Sequence, residues 1–99
     1  MYHYDMEVPP KYPGGMEELK IFYENNLFYP ESYVAFTVYV CCIISKTGEI
    51  KCIGVLKNRH IGYFYDTWAM EVINKMPLWE PAYNKSIPVV AIIFLPVTW

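Results

Sequence analysis

The side chains that could react or bind a metal are three cysteines and two histidines, Cys41, Cys42, Cys52, His3 and His60. Metal coordination needs several ligands at short, regular spacing, and neither histidine has such neighbours. A dyad of Cys52 and His60 would lack the third group that orients such a pair. We therefore expect no enzyme activity, no catalytic residue, no metal ligand and no cofactor.

The number and positions of the cysteines also indicate whether the chain forms a disulfide. An odd number argues against a disulfide framework, so we expect reduced thiols. A tight turn centred on Thr47 and Gly48 predicts a hairpin in which Cys42 faces Ile53. A loop that differs by one residue would instead place Cys42 opposite Cys52, near the separation that a disulfide requires.

Two further motifs have a simple structural interpretation. The run Pro13-Gly14-Gly15 precedes a helical pattern, but it lacks the Lys-Ser/Thr that follows a phosphate-binding loop, so it predicts a tight turn. Four glutamates, Glu17, Glu18, Glu24 and Glu31, predict a solvated face. An acidic patch that attracts a basic partner is the alternative interpretation.

Length and composition limit the classes of protein that the chain can belong to. The chain has 99 residues, of which 55% are hydrophobic and 18% are charged, so it can bury the core of one domain. The net charge is −2, so the chain does not have the excess of basic residues that binding to nucleic acid or to an anionic membrane requires. The sequence contains neither a stretch long enough for a membrane helix nor a signal peptide. We expect a single domain over residues 1–99, with residues 1–12 as an extended N-terminal arm.

Hydrophobic periodicity predicts five elements in an α+β fold. The first is a helix over 16–25 with Met16, Leu19, Phe22 and Tyr23 on its apolar face, and it is followed by strands over 34–44 and 49–56. The second helix is N-capped by Asp66 and ended by Pro77, and a strand over 87–98 comes last. Residues 78–86 are expected to form a loop. The hairpin and the returning helix predict a three-stranded antiparallel sheet of order 2-1-3, with two helices packed on one face.

The last predicted strand is apolar on both faces. Val89, Ala91, Ile93 and Leu95 lie on one face, and Val90, Ile92 and Phe94 lie on the other. Two helices can cover only one face of the sheet. The other face needs a partner, the N-terminal arm or a second copy of the domain, which favours an interaction protein over an enzyme.

A series of short motifs resembles the C-terminal domain of TonB energy transducers of the Bacteroidetes type. The matching residues, which fall within residues 8–99, are Tyr12-Pro13-Gly14-Gly15, Tyr29-Pro30-Glu31, Lys46-Thr47-Gly48, Asp66, Ala69, Met76-Pro77, Trp79, Pro81, Pro88-Val89 and Leu95-Pro96-Val97. Each motif is common by itself, and their order and spacing carry the resemblance. The family fold, two helices on a three-stranded antiparallel sheet, is the fold that the periodicity predicts.

The resemblance implies a non-enzymatic adaptor in the periplasm. Such a domain binds the TonB box, an extended segment of an outer-membrane receptor, as an added strand, and so supports active nutrient transport. The inner-membrane motor would be reached through an N-terminal anchor that these residues do not include. The implied peptide-binding edge consists of Val89, Val90, Ala91, Ile92, Ile93, Phe94 and Leu95. Tyr2, Tyr4 and Trp99 are candidate interface residues.

Two other functions fit the same residues. The open edge and face could be used for structural homodimerisation, by strand exchange or by stacking of sheets. Alternatively, the domain could be a sensory or ligand-binding appendage of a membrane signalling protein, in which the many tyrosines contact a small molecule or a glycan.

Overall fold

The computed structural model of the protein describes residues 6–56 and 63–99. Its elements, in chain order, are α1 (Met16–Asn26), β1 (Thr37–Ile44), β2 (Ile50–Val55), α2 (Tyr63–Asn74), β3 (Ala82–Asn84), β4 (Ile87–Val89) and β5 (Ala91–Thr98). The main sheet has the order β2-β1-β5 with antiparallel neighbours, which confirms the predicted α+β fold and the order 2-1-3. Strands β3 and β4 form a separate two-stranded sheet.

Both predicted helices form, with differences at their starts. Gly14 and Gly15 have φ values of 89° and 88°, so the turn before α1 requires glycine. Met16 was expected on the apolar face of α1 but is 76% exposed, because it lies at the first position of the helix. Helix α2 starts at Tyr63, so Asp66 lies in its first turn and the prediction of Asp66 as N-cap is wrong. A carboxylate there still interacts favourably with the helix dipole.

The turn between β1 and β2 is one residue longer than expected. The N–H of Gly48 donates to the carbonyl of Ser45 at 3.0 Å, which centres the turn on Lys46 and Thr47. Gly48 follows with a φ of 92°, the left-handed residue that completes a three-residue hairpin loop. The N–H of Ser45 donates to Glu49 O at 2.9 Å and closes the loop.

This loop changes the pairing of the cysteines. Cys42 lies opposite Cys52, so the predicted pairing of Cys42 with Ile53 is wrong and the alternative register is found. The register then shifts at a β-bulge between Cys41 and Cys42, beyond which Cys41 faces Gly54. Ile53 is the extra residue of β2 and is 54% exposed.

The last predicted strand is divided in two. Lys85 and Ser86 both have positive φ, as a two-residue hairpin turn of type I′ demands, and this turn folds β4 back onto β3. The predicted loop over 78–86 therefore contains a strand, and Val90 separates β4 from β5. The predicted first strand also begins later than expected, at Thr37.

The core lies on one face of the main sheet. Its fully buried side chains come from β1, α2 and β5 and include Val40, Cys42, Ile44, Ala69, Val72, Ile73 and Val97. Helix α1 adds Leu19 to the same cluster. The periodicity of α2 is confirmed, since Ala69, Val72 and Ile73 are buried as predicted. The alternate residues of β1 and β5 form the opposite face and are mostly half-buried or exposed.

Candidate functional site: a groove along the free edge of β5

Within the part of the chain that the structure describes, β5 is an edge strand of the main sheet, and one hydrogen bond fixes which of its backbone groups face the open edge. The N–H of Trp99 donates to Phe36 O at 3.0 Å, on the side of β1. Because backbone groups alternate along a strand, odd-numbered positions of β5 face β1 and even-numbered positions face away from it. Ile92, Phe94 and Thr98 therefore present both backbone groups at the free edge. Pro96 has no N–H and presents only its carbonyl, as is typical of proline on an edge strand.

A groove of about 690 Å³ lies along this edge. Residues 93–96 of β5 form one side, and Met16, Leu19 and Tyr23 of α1 contribute to the other. The N-terminal arm over residues 8–12 and the segment around Trp79 complete the walls. The lining is mainly apolar, with the exposed residues Lys11, Lys20 and Glu80 as its charged groups.

The arm is held in place by backbone pairing. The N–H groups of Lys11 and Glu80 donate to each other's carbonyls, at 3.0 and 2.8 Å. Val8 and Tyr83 exchange a second pair of bonds, at 3.0 and 2.9 Å. Residues 8–12 of the arm therefore form a wall of the groove and do not cover the open face of the sheet.

An aromatic corner forms part of the groove lining. The rings of Tyr12 and Trp79 meet edge to face with centroids 5.6 Å apart, and both side chains are buried. The N–H of Trp79 donates to Gly48 O at 2.8 Å, which joins this corner to the β1–β2 turn. The contact is so close that a Cβ on Gly48 would overlap the carbonyl of Trp79.

Two buried polar atoms beside the groove have no hydrogen-bond partner among the described residues. They are the hydroxyl of Tyr23 and the indole Nε1 of Trp79. Burial raises the pKa of Tyr23 well above its ordinary value, with smaller contributions from Cys42 and Cys52. Tyr23 is therefore neutral at physiological pH. An indole N–H can only donate, so a partner of Trp79 would have to supply an acceptor.

The predicted peptide-binding edge is shorter in the structure than in the sequence. Ile93, Phe94 and Leu95 line the groove, and Phe94 is the one of the three that also presents its backbone at the edge. Val89 pairs with Ala82 in the β3–β4 hairpin and does not belong to β5.

The other predicted edge residues lie outside the groove. Val90 separates β4 from β5 and is 38% exposed, while Ala91 is fully buried. Ile92 is half-buried on the open face.

The candidate interface residues have different positions. Trp99 is buried, and its indole N–H donates to Phe28 O at 2.8 Å, so it belongs to the core. Tyr2 and Tyr4 lie outside the described residues, as do His3 and His60.

Sequence reasoning missed the walls of the groove. The sequence predicts Tyr12 in the extended arm and Leu19 and Tyr23 on the apolar face of a helix, but nothing in their spacing indicates that they stand opposite β5. The signal for the arm was Pro9-Pro10, whose fixed φ and missing N–H groups favour an extended segment beside a sheet. That signal predicts an extended chain without predicting its partner.

Within residues 6–56 and 63–99, the structure contains no group of three or more His, Cys, Asp or Glu side chains that could hold a metal ion. No helix of the same residues is both long and apolar enough to cross a membrane. Comparison with protein-family models, with curated proteins and with solved structures found no match to this chain.

Proposed function

We propose that this domain is a non-enzymatic adaptor that binds an extended peptide as an added strand along the free edge of β5. The observation that carries the proposal is that the edge of β5, which pairs with no other strand of the described residues, coincides with an apolar groove. In strand addition, backbone hydrogen bonds provide affinity and the adjoining pockets select side chains. Both parts meet on β5, where Phe94 presents its backbone groups at the edge and its neighbours Ile93 and Leu95 line the groove from the core face.

The groove suggests the chemistry of the peptide. Leu19, Tyr23 and Leu95 offer an apolar wall, so the peptide needs large apolar side chains at alternate positions. Because Pro96 has no N–H, the added strand gains few backbone bonds beyond Phe94 and is expected to be short. An acceptor on the peptide could satisfy the N–H of Trp79.

The biological role that fits this mode of binding is that of a TonB-type energy transducer. In that role the peptide is the TonB box at the N-terminus of an outer-membrane receptor, and the domain acts in the periplasm during active nutrient transport. The sequence motifs support this role, and the two-helix, three-stranded fold agrees with it.

The proposal is tested by titrating the domain with a panel of short peptides from the N-terminal segments of outer-membrane receptors, using calorimetry. A saturable signal from peptides with alternating apolar residues is expected. Phe94→Pro removes the edge N–H, and Phe94→Val is its matched control, because both variants lose the aromatic ring. One lost hydrogen bond predicts binding about 3–10-fold weaker for the proline variant than for the valine variant.

A second control leaves the protein unchanged. Methylation of a backbone nitrogen of the peptide removes a hydrogen-bond donor. Because the donors of an added strand alternate in direction, methylation should weaken binding only at the nitrogens that face the edge of β5. Equal affinities for Phe94→Pro and Phe94→Val, together with tolerance of methylation at every position, would show that the peptide does not add as a strand.

The open face of the sheet favours a second candidate, homodimerisation. Tyr39 and Ile53 are exposed there, and Ile43, Ile92 and Phe94 are half-buried. Stacking of two such faces would bury these side chains without using the groove. Light scattering distinguishes the two functions, since a dimer that persists on dilution and is dissociated by Ile53→Lys supports stacking. A monomer at all concentrations argues against it.

A further inference from the structure

The three-residue loop between β1 and β2 brings two thiols together across these strands. Cys42 lies directly opposite Cys52. Tyr39 of β1 accepts a bond from Leu56 N, so odd-numbered positions of β1 face β2 and Cys42 directs its backbone groups to β5. Cys42 and Cys52 thus form a pair without backbone hydrogen bonds, in which the Cα atoms approach to about 4.5 Å. That separation lies within the range that a disulfide spans.

Both thiols lie on the core face of the sheet, where Cys52 packs against the core cluster that contains Cys42. The Cys42 thiol is buried and also donates towards Val40 O at 3.6 Å. The Cys52 thiol is half-buried and donates towards Met70 O of α2 at 3.8 Å. Both cysteines are free in the structure.

The two thiols differ in pKa. The hydrogen bond to Cys42 lowers the pKa of Cys52, although burial acts against it. The same bond and burial raise the pKa of Cys42. Cys52 is therefore the thiol that ionises first and, being the less buried of the two, the one that an oxidant reaches.

We propose that Cys42 and Cys52 form a redox-active dithiol that a disulfide oxidant converts to an intrachain disulfide. The Cys52 thiolate attacks one sulfur of the oxidant, breaking its S–S bond and releasing one thiolate. Cys42 then loses its proton to solvent, attacks Cys52 Sγ and releases the second thiolate. Overall, the protein loses two protons and two electrons, and the oxidant is reduced to two thiols. Cys41 is excluded because it directs its side chain to the opposite face of β1.

The modification does not depend on peptide binding. It would connect β2 to β1 across the bulge and leave the free edge of β5 unchanged. A domain that binds no peptide could still form the disulfide, so the two proposals fail separately.

The test uses the full chain and oxidised glutathione. The reduced protein is equilibrated with excess oxidised glutathione, denatured and titrated for thiols. The count is expected to fall from three to one, with a mass loss of two hydrogen atoms and no attached glutathione. Cys41→Ala should form the same link and retain no thiol.

A trapping variant tests the order of the steps. Cys42→Ala leaves Cys52 without its resolving partner, so it should accumulate a mixed disulfide with glutathione at Cys52. The proposal is overturned if the wild-type chain keeps three thiols, if the link involves Cys41, or if it joins two chains. Because the wild-type titration needs no substitution, a poorly folded variant does not affect this result.

Discussion

Replacement of Tyr23 by phenylalanine should make the free domain more stable. The Tyr23 hydroxyl is buried and has no partner among the described residues, while its ring packs against the core cluster. A buried hydroxyl without a hydrogen bond costs about 1–3 kcal/mol, and phenylalanine keeps the ring. We expect a gain of about 1 kcal/mol, which corresponds to a rise in Tm of about 4–8 °C for a domain of this size.

The same substitution should change the response to alkaline pH. The pKa of Tyr23 is raised in the folded state, so the folded protein keeps a proton that the unfolded chain releases above about pH 10. Below about pH 10, Tyr23 is protonated in both states and its ionisation does not change the free energy of unfolding. Above that pH, the free energy of unfolding falls as the pH rises, because only the unfolded chain releases the proton. At pH 11 the loss amounts to about 1.4 kcal/mol, and Tyr23→Phe should abolish it.

Urea unfolding at pH 7 and at pH 11 measures both effects. Tyr39→Phe is the control, because the side chain of Tyr39 is exposed and its hydroxyl should contribute little. The reasoning is refuted if Tyr23→Phe is less stable than the wild type at pH 7, since the hydroxyl would then have a partner. It is also refuted if the gain from Tyr23→Phe is no larger at pH 11 than at pH 7.

Two backbone positions allow further tests by thermal unfolding. Gly48→Ala should cost at least about 2 kcal/mol, because φ is 92° and the new Cβ would overlap the Trp79 carbonyl. Gly54→Ala is its control, has no atom within 4 Å of the added Cβ and should change stability by less than about 0.5 kcal/mol. Equal losses at the two glycines would contradict the contact between the turn and Trp79. Ser86→Gly should stabilise the domain by about 0.5 kcal/mol, because φ of Ser86 is positive at 66°. A clear loss there would exclude the type I′ turn.

Much of the fold could be predicted because its signals are local or topological. The apolar spacing of Ala69, Val72 and Ile73 identified the buried face of α2. The order of the sheet followed from one hairpin and one returning helix. One failure occurred where two non-glycine residues adopt a conformation that glycine usually adopts. Lys85 and Ser86 both have positive φ, so no glycine in the sequence indicated the turn that divides the last strand.

The candidate site was predictable only in part. That β5 is an edge strand followed from topology, and three of its predicted residues line the groove. The opposite wall depends on pairings between distant segments, such as Lys11 with Glu80, which periodicity does not encode. The facing cysteines depended on a single residue in the loop, and the sequence left both registers open.

Hydrogen exchange at single amides tests the central claim most directly. In the free domain, the amides of Ile93, Leu95 and Val97 face β1 and should exchange slowly, whereas that of Phe94 faces the open edge and should exchange fast. Saturation with a receptor-derived peptide should protect the Phe94 amide strongly and leave its odd-numbered neighbours little changed. If the peptide binds while the Phe94 amide still exchanges as in the free domain, the edge of β5 is not the binding site and the proposed function is wrong.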